Sequence, residues 1–251
     1  MPKNKPSAKP KAALAKQMSA QAKLTHTPGT KRVLHIEVGA TKTQMHKHLS
    51  GSEWKTLTLN IDKKTPADFH LYPTNLSQIP DETFDAVWSN HTMKFFYTTD
   101  LPYIFKEIHR VLKKDGVFIM AAHNLKRIAD TLRIKGVDAA LYETKAGPVS
   151  VLDVLYGFRK YLQNDDKEFV VPKTGFSTGF VANLFKHSGF LNISVVEEGI
   201  TLSAVGYKRE KKTDANSKVS FTPVDMNKVM ADRDKMDIPP TPVAGTPVPK
   251  D

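Results

Sequence analysis

The sequence predicts an α/β fold, a mostly parallel sheet with an antiparallel hairpin at its carboxyl-terminal edge, and three observations predict it. The run from Phe84 to His123 reads as strand, loop, helix, tight turn and strand. Such a unit is right-handed and parallel, with a site at the strands' carboxyl ends. Upstream, Arg32–Val38 is a second apolar run, ended by Gly39. Downstream, Val181–His187 has helical periodicity and leads into two strand-like runs, Leu191–Glu197 and Ile200–Tyr207, whose close spacing predicts a hairpin.

Taken in order, residues 1–30 are rich in Lys, Ala and Pro and hold no acidic residue. With few large apolar groups to offset the entropy of ordering, they are expected to form a disordered basic tail. The first strand, Arg32–Val38, follows. Lys55–Ile61 alternates as a second strand, with Asn60 and Asp62 on one side because strand side chains repeat with period two. Asp68–Tyr72 is read as a third short strand. Phe84–Trp88 is a buried parallel strand that emerges into the polar Ser89, Asn90 and His91.

Asp100 is expected to cap the next helix. There, Leu101, Ile104, Phe105, Ile108, Val111 and Leu112 recur at spacings of three and four and form one apolar stripe. Lys113, Lys114, Asp115 and Gly116 are read as its end, with positive charge in the last turn and a glycine that tolerates a left-handed conformation, before the strand Val117–Ala122. Leu125–Gly136 and Val151–Leu162 are further helices, separated by a turn at Ala146, Gly147 and Pro148. From Arg209 the chain is polar and then proline-rich, an extended tail suited to threading along a partner. The expected organisation is therefore a tail (1–30), one domain (31–208) and a second disordered tail (209–251).

FDAVWSNH followed by EIHRVLKKDGVFIM resembles the fourth strand, helix and fifth strand of class I S-adenosylmethionine-dependent methyltransferases. AGPVSVLDVLYG at 146–157 and KTGFS at 173–177 are similar to a bacterial subfamily of small predicted methyltransferases with AGP, LDxLYG and TGF segments. The likeness covers roughly Arg32 to Tyr207. It implies a Rossmann-like fold, S-adenosylmethionine as cofactor and a methyl acceptor.

The resemblance also implies residues. VLHIEVGATKT can be aligned in two registers on the glycine turn after the first strand. In one, Glu37 replaces the first glycine; in the other, Glu37 is the usual acid and Gly39 the first glycine, with Thr41 in place of the second. The spacing to Trp54–Lys55 and to NID favours the first. A carboxylate about 4 Å from the cofactor's own carboxylate then costs about 4 kcal/mol at an effective dielectric of about 20, unless it turns toward the amino group. Asn60 stands where relatives carry the acid that binds both ribose hydroxyls, so Asp62 is expected to take over part of that role. Asn75 and Leu76 are expected at the adenine, and Ser89 joins them as a cofactor contact at the end of its strand. His91 is the candidate catalytic residue, its ordinary pKa suited to proton transfer near neutrality. Tyr156 and Arg159 are candidate substrate contacts, on an insertion expected to cover the substrate mouth.

Composition bounds the rest. A chain of 251 residues, 40% hydrophobic, holds one domain with a real core. The absence of cysteine excludes disulfides, thiolate metal sites and cysteine nucleophiles, and the histidines show no metal-site spacing. No apolar run is long enough to span a bilayer and the basic amino terminus has no signal-like segment, so a cytoplasmic protein is expected. The formal charge of +11 calls for an anionic partner for the basic tail. Three functions remain open: a methyltransferase; a catalytically inactive methyltransferase-fold subunit that serves as a binding or scaffolding partner, most naturally paired with an active homologue; and a nucleic-acid binder. The second rests on seven departures around the inferred pocket, at Glu37, Asn60, Lys94, Phe95, Asn124, Phe158 and Pro172.

Overall fold

The structure, a computed structural model, describes residues 24, 28–39, 43–144, 146–160, 162, 169 and 171–209. The two expected tails lie outside the described residues, apart from a few positions at their inner ends.

Among the described residues, eight strands occur in chain order: β1 (Lys31–Glu37), β2 (Trp54–Asn60), β3 (Phe84–Asn90), β4 (Leu112–His123), β5 (Ala140–Thr144), β6 (Gly147–Ser150), β7 (Leu191–Glu198) and β8 (Thr201–Tyr207). Six of them form one sheet in the order β2-β1-β3-β4-β8-β7, and β5 pairs with β6 alone. β1 is parallel to both β2 and β3, and β3 to β4. β8 lies antiparallel to β4, and β7 antiparallel to β8. This is the expected α/β architecture, parallel in its first half and closed by an antiparallel hairpin.

The local reasons follow from residue type. β1 is central, so Val33–Glu37 are all buried. Helix α1 (Leu101–Val111) buries Leu101, Ile104, Phe105, Ile108 and Val111, the predicted stripe. Phe105 meets Phe118 of β4 edge-on at 5.1 Å and Phe185 of the later helix α4 (Thr178–His187) at 5.2 Å. A Cβ on Gly206 of β8 would lie 2.5 Å from the Phe185 ring, so this close approach requires glycine. Between these elements, helix α2 (Leu125–Lys135) starts at Asn124, whose side chain accepts from the Lys126 N–H. Helix α3 (Val151–Tyr156) starts at a reciprocal capping box between Ser150 and Asp153.

Four expectations are corrected. Asp68–Tyr72 is not a strand; only the bridge from Leu59 to Phe69 forms, and Phe69 turns into the core. The helix expected to reach Leu162 stops at Tyr156, because Gly157 takes a φ of +104° and its N–H closes back on the Asp153 carbonyl. Asp100 makes no side-chain cap; its carboxylate accepts from the Tyr72 hydroxyl at 2.9 Å. Lys113–Gly116 are not a helix end but part of β4. α1 already ends at Leu112, which pairs with Phe84, and Lys113 turns to the Asp85 carboxylate at 2.8 Å. The β5–β6 hairpin was not expected at all. Among the described residues, no helix is long and apolar enough to cross a membrane.

Candidate functional site

The parallel strands deliver their polar ends to one edge of the sheet. Register pairs Glu37 with Asn60, Ile36 with Ser89, and Asn90 with Ala121. The order of winding reverses at this edge, since β2 lies on one side of β1 and β3 on the other, the place where open α/β sheets bind ligands.

Gly39, Asn60 and Asp62 form one connected group. The Asn60 carboxamide accepts from the Gly39 N–H at 3.1 Å and donates to the Gly39 carbonyl at 2.8 Å. Gly39 holds a φ of +69°, a conformation that suits glycine. Asn60 also accepts from the Asp62 N–H at 3.0 Å. Asp62 in turn accepts from the Thr65 hydroxyl at 2.6 Å and the Lys64 N–H at 2.9 Å. The Thr65 bond, with smaller help from Lys64, holds its carboxyl below the ordinary carboxylate range against the opposing effect of burial.

Glu37 is buried beside them. It accepts from the Thr43 N–H at 3.0 Å and lies 3.8 Å from His35, whose other ring nitrogen meets the Thr43 hydroxyl. Burial lowers the His35 pKa and Glu37 only partly opposes that, so at neutral pH the pair is a polar contact between a carboxylate and a neutral ring. Ser89 is fully buried, and its hydroxyl has no partner. Asn75 is exposed and caps the Ser77 N–H, while Leu76 is in the core and donates its N–H to Glu107 of α1 at 2.6 Å. Of the predicted cofactor residues, Glu37, Gly39, Asn60 and Asp62 thus gather at the ends of β1 and β2. Ser89 sits on β3, and Asn75 and Leu76 on the loop that leads from β2 into it.

Two adjoining cavities open beyond the ends of β1, β3 and β4. One, of about 170 Å³, runs from Val38 and His91 to Tyr142, Val149, Asp153 and Phe158. The other, of about 240 Å³, is bounded by His123, Leu125, Val154 and Lys173–Phe176. Lys94 lines both. The roof is the β5–β6 hairpin with α3, so the insertion does lie over the strand ends. Its own small core joins Val149, Val151 and Val154 to Ile128 of α2.

His91 projects from a backbone φ of +55° while its N–H donates to the Ala121 carbonyl at 2.8 Å, so strand pairing holds the unusual conformation. Its ring centroid is 4.3 Å from that of His123. Burial, with the nearby Lys94, pushes the His91 pKa down to about 4. Burial also brings Lys94 down to about 8, and the same burial, with Lys94 and His91, lowers His123 further still. Both rings are therefore neutral at pH 7.

Of the candidate substrate contacts, neither Tyr156 nor Arg159 lines either of these two cavities. Tyr156 is 67% exposed, and Arg159 pairs from outside with the buried Asp153 at 3.0 Å. Burial alone would raise the Asp153 carboxyl; Arg159 and the Ser150 hydroxyl and N–H outweigh it and hold the group well below its ordinary range. Sequence reasoning placed Lys94 among the departures around the inferred pocket but gave neither it nor His123 a role there. The available signal was a basic residue just past each of two neighbouring strand ends. Among the described residues, no group of three or more His, Cys, Asp or Glu is placed to hold a metal ion.

Residues 36–120, from the end of β1 into β4, match the family model described as the methyltransferase domain. The matched segment is about a third of the chain; over it, the chain is similar to methyltransferase domains, and the fold is consistent with S-adenosylmethionine as cofactor. No curated protein matches the chain. Among solved structures, it is similar to an S-adenosylmethionine-dependent methyltransferase of Methanosarcina mazei, with 14% identity over 74% of this chain and 95% of that one and a TM-score of 0.44. It is also similar to a protein of Pyrococcus horikoshii, with 17% identity over 81% and 92% and a TM-score of 0.44. A third is phosphoethanolamine N-methyltransferase 2 of Haemonchus contortus with S-adenosylmethionine bound, with 14% identity over 72% and 38% and a TM-score of 0.35. At these values the likenesses do not bear on chemistry.

The residues present fit the cofactor. Gly39 keeps backbone free of side chain at the β1 turn, two buried carboxylates lie within two residues of it and of Asn60, and the Ser89 hydroxyl is buried without a partner.

Proposed function

We propose that this methyltransferase acts on a small acceptor held in the roofed cavity at the strand ends, with Glu37, Gly39, Asn60, Asp62, Asn75, Leu76 and Ser89 as the cofactor contacts. The observation that carries this reading is the adjacency of the Gly39–Asn60–Asp62 group and the cavity, since Val38, one residue before Gly39, is part of the cavity wall.

S-adenosylmethionine, when bound, supplies an electrophilic methyl group on sulfur, so the protein's task is mainly alignment and exclusion of water. Asp62 uses its oxygens on Thr65 and Lys64 and, as a carboxylate, retains further lone pairs for hydroxyl donors. His91, neutral at pH 7, accepts or donates a hydrogen bond to the acceptor and holds its nucleophilic atom in line. Its pKa of about 4 makes it a poor proton store, so positioning is its role.

The reading of an inactive binding or scaffolding subunit is favoured by one observation. Gly39 spends both of its backbone groups on Asn60, which closes the β1 turn on itself. Calorimetric titration of the ligand-free chain with S-adenosylmethionine separates the two. Binding in the micromolar range, weakened at least about tenfold in Asp62→Ala through loss of charge-assisted hydrogen bonds, is the expected result. No heat up to millimolar ligand leaves the fold and overturns the enzyme.

A further inference from the structure

Lys94, His91 and His123 come from two strand ends and the 3₁₀ turn Met93–Phe95, and they meet where the two cavities join. Among the described residues, none of the three has an acidic partner. The Lys94 ammonium lies 5.1 Å from the centroid of its neighbour Phe95. The Nδ1 atoms of both histidines are buried and bond to nothing. Buried polar atoms are normally paired, so two orphaned imidazole nitrogens beside the Lys94 ammonium, which lines both cavities, mark a place for a ligand with several acceptors.

Charge narrows the ligand further. The acid in the cavity wall, Asp153, is committed to Arg159 and to Ser150. The other charged group on the wall is Lys173, over the Tyr97 ring at 5.0 Å, and the nearest phenol, Tyr142, is 6.1 Å from the His123 ring. Cavities of about 170 and 240 Å³ admit a small molecule and not a folded chain.

We propose that Lys94, His91 and His123 bind the carboxylate or phosphate group of a small anionic methyl acceptor. The inference rests on the methyltransferase reading and names its substrate class. One ammonium and one N–H from each neutral imidazole match the oxygens of such a group, and the anion supplies the partner that Lys94 lacks. Because the bound form requires charged Lys94, affinity is full below the free-state value of about 8 and is lost as pH rises above it. For a probe that does not itself titrate there, about tenfold is lost between pH 7 and pH 9.

The test is titration of the full chain with inorganic phosphate and, separately, malonate, followed by the imidazole proton signals of His91 and His123 and by calorimetry. Both signals are expected to shift at millimolar probe. Lys94→Met should weaken binding at least tenfold, while Lys94→Arg retains most of it and controls for folding. Tighter phosphate binding assigns a phosphorylated acceptor, and tighter malonate binding a carboxylic acid. Malonate should show the loss above pH 8. Unmoved imidazole signals at tens of millimolar of either probe, or equal binding by Lys94→Met, would overturn the proposal. Titration of the same sample with S-adenosylmethionine keeps the two ideas apart: cofactor without anion binding removes only this inference, and anion without cofactor binding removes the methyltransferase reading.

Discussion

Phe118→Ala should lower the free energy of unfolding by about 4 kcal/mol, measured by denaturant titration with an unchanged slope. Phe118 is fully buried in β4, in the middle of an aromatic cluster. It meets Phe105 of α1 at 5.1 Å, Phe185 of α4 at 5.1 Å and Phe190 at 5.9 Å. Those partners come from a helix, a second helix and the turn before β7, so one ring joins the parallel half of the sheet to its antiparallel edge. They are held from several sides and cannot collapse into the space left by the ring, which places the cost at the upper end for an aromatic truncation. A loss under about 1 kcal/mol would mean that the two halves are not packed as described.

Asp153→Ala should cost about 2 kcal/mol, concentrated in the roof, because it removes the capping box of α3 and leaves the Ser150 hydroxyl and N–H without their acceptor. The roof rests on the separate small core around Ile128 and Val149. Faster amide exchange should therefore appear in β5, β6 and α3 and not in β1–β4. The pH dependence has a definite sign. The folded-state pKa of Asp153 is depressed, so its contribution is complete above the unfolded carboxylate range near 4 and is lost as pH falls below it. The wild-type roof should open progressively in acid, and the Asp153→Ala roof should lack that transition.

The fold was legible wherever burial imposed a period. α1 and β1 show this most clearly: the 101–112 stripe and the continuous apolar run of a central strand leave few alternatives. Where burial imposed none, the sequence was silent. In β5 four of five residues are exposed, so no alternation betrays a strand. LysLysAspGly at 113–116 reads as a helix end by composition, yet the pairing of Leu112 with Phe84 and the Lys113–Asp85 contact draw it into β4. Gly157 was visible as a helix stop inside the LDVLYG motif and was passed over.

At the site, the residues of β1 and β2 followed from strand-end positions, which sequence reveals. Lys94 and His123 did not, because their meeting depends on β3 and β4 being neighbours, with Asn90 opposite Ala121. Departure from a family pattern drew attention to Lys94 without showing that it and His123 face one cavity.

A crystal structure with S-adenosylhomocysteine tests the central claim most directly, because it locates the ligand as well as detecting it. The account predicts that the ligand lies across the ends of β1 and β2 against Gly39 and Asp62, with its sulfur directed toward the cavity of His91 and Lys94. An ordered ligand elsewhere, or an unaltered Gly39–Asn60 pairing with no ligand at saturating concentration, would contradict it.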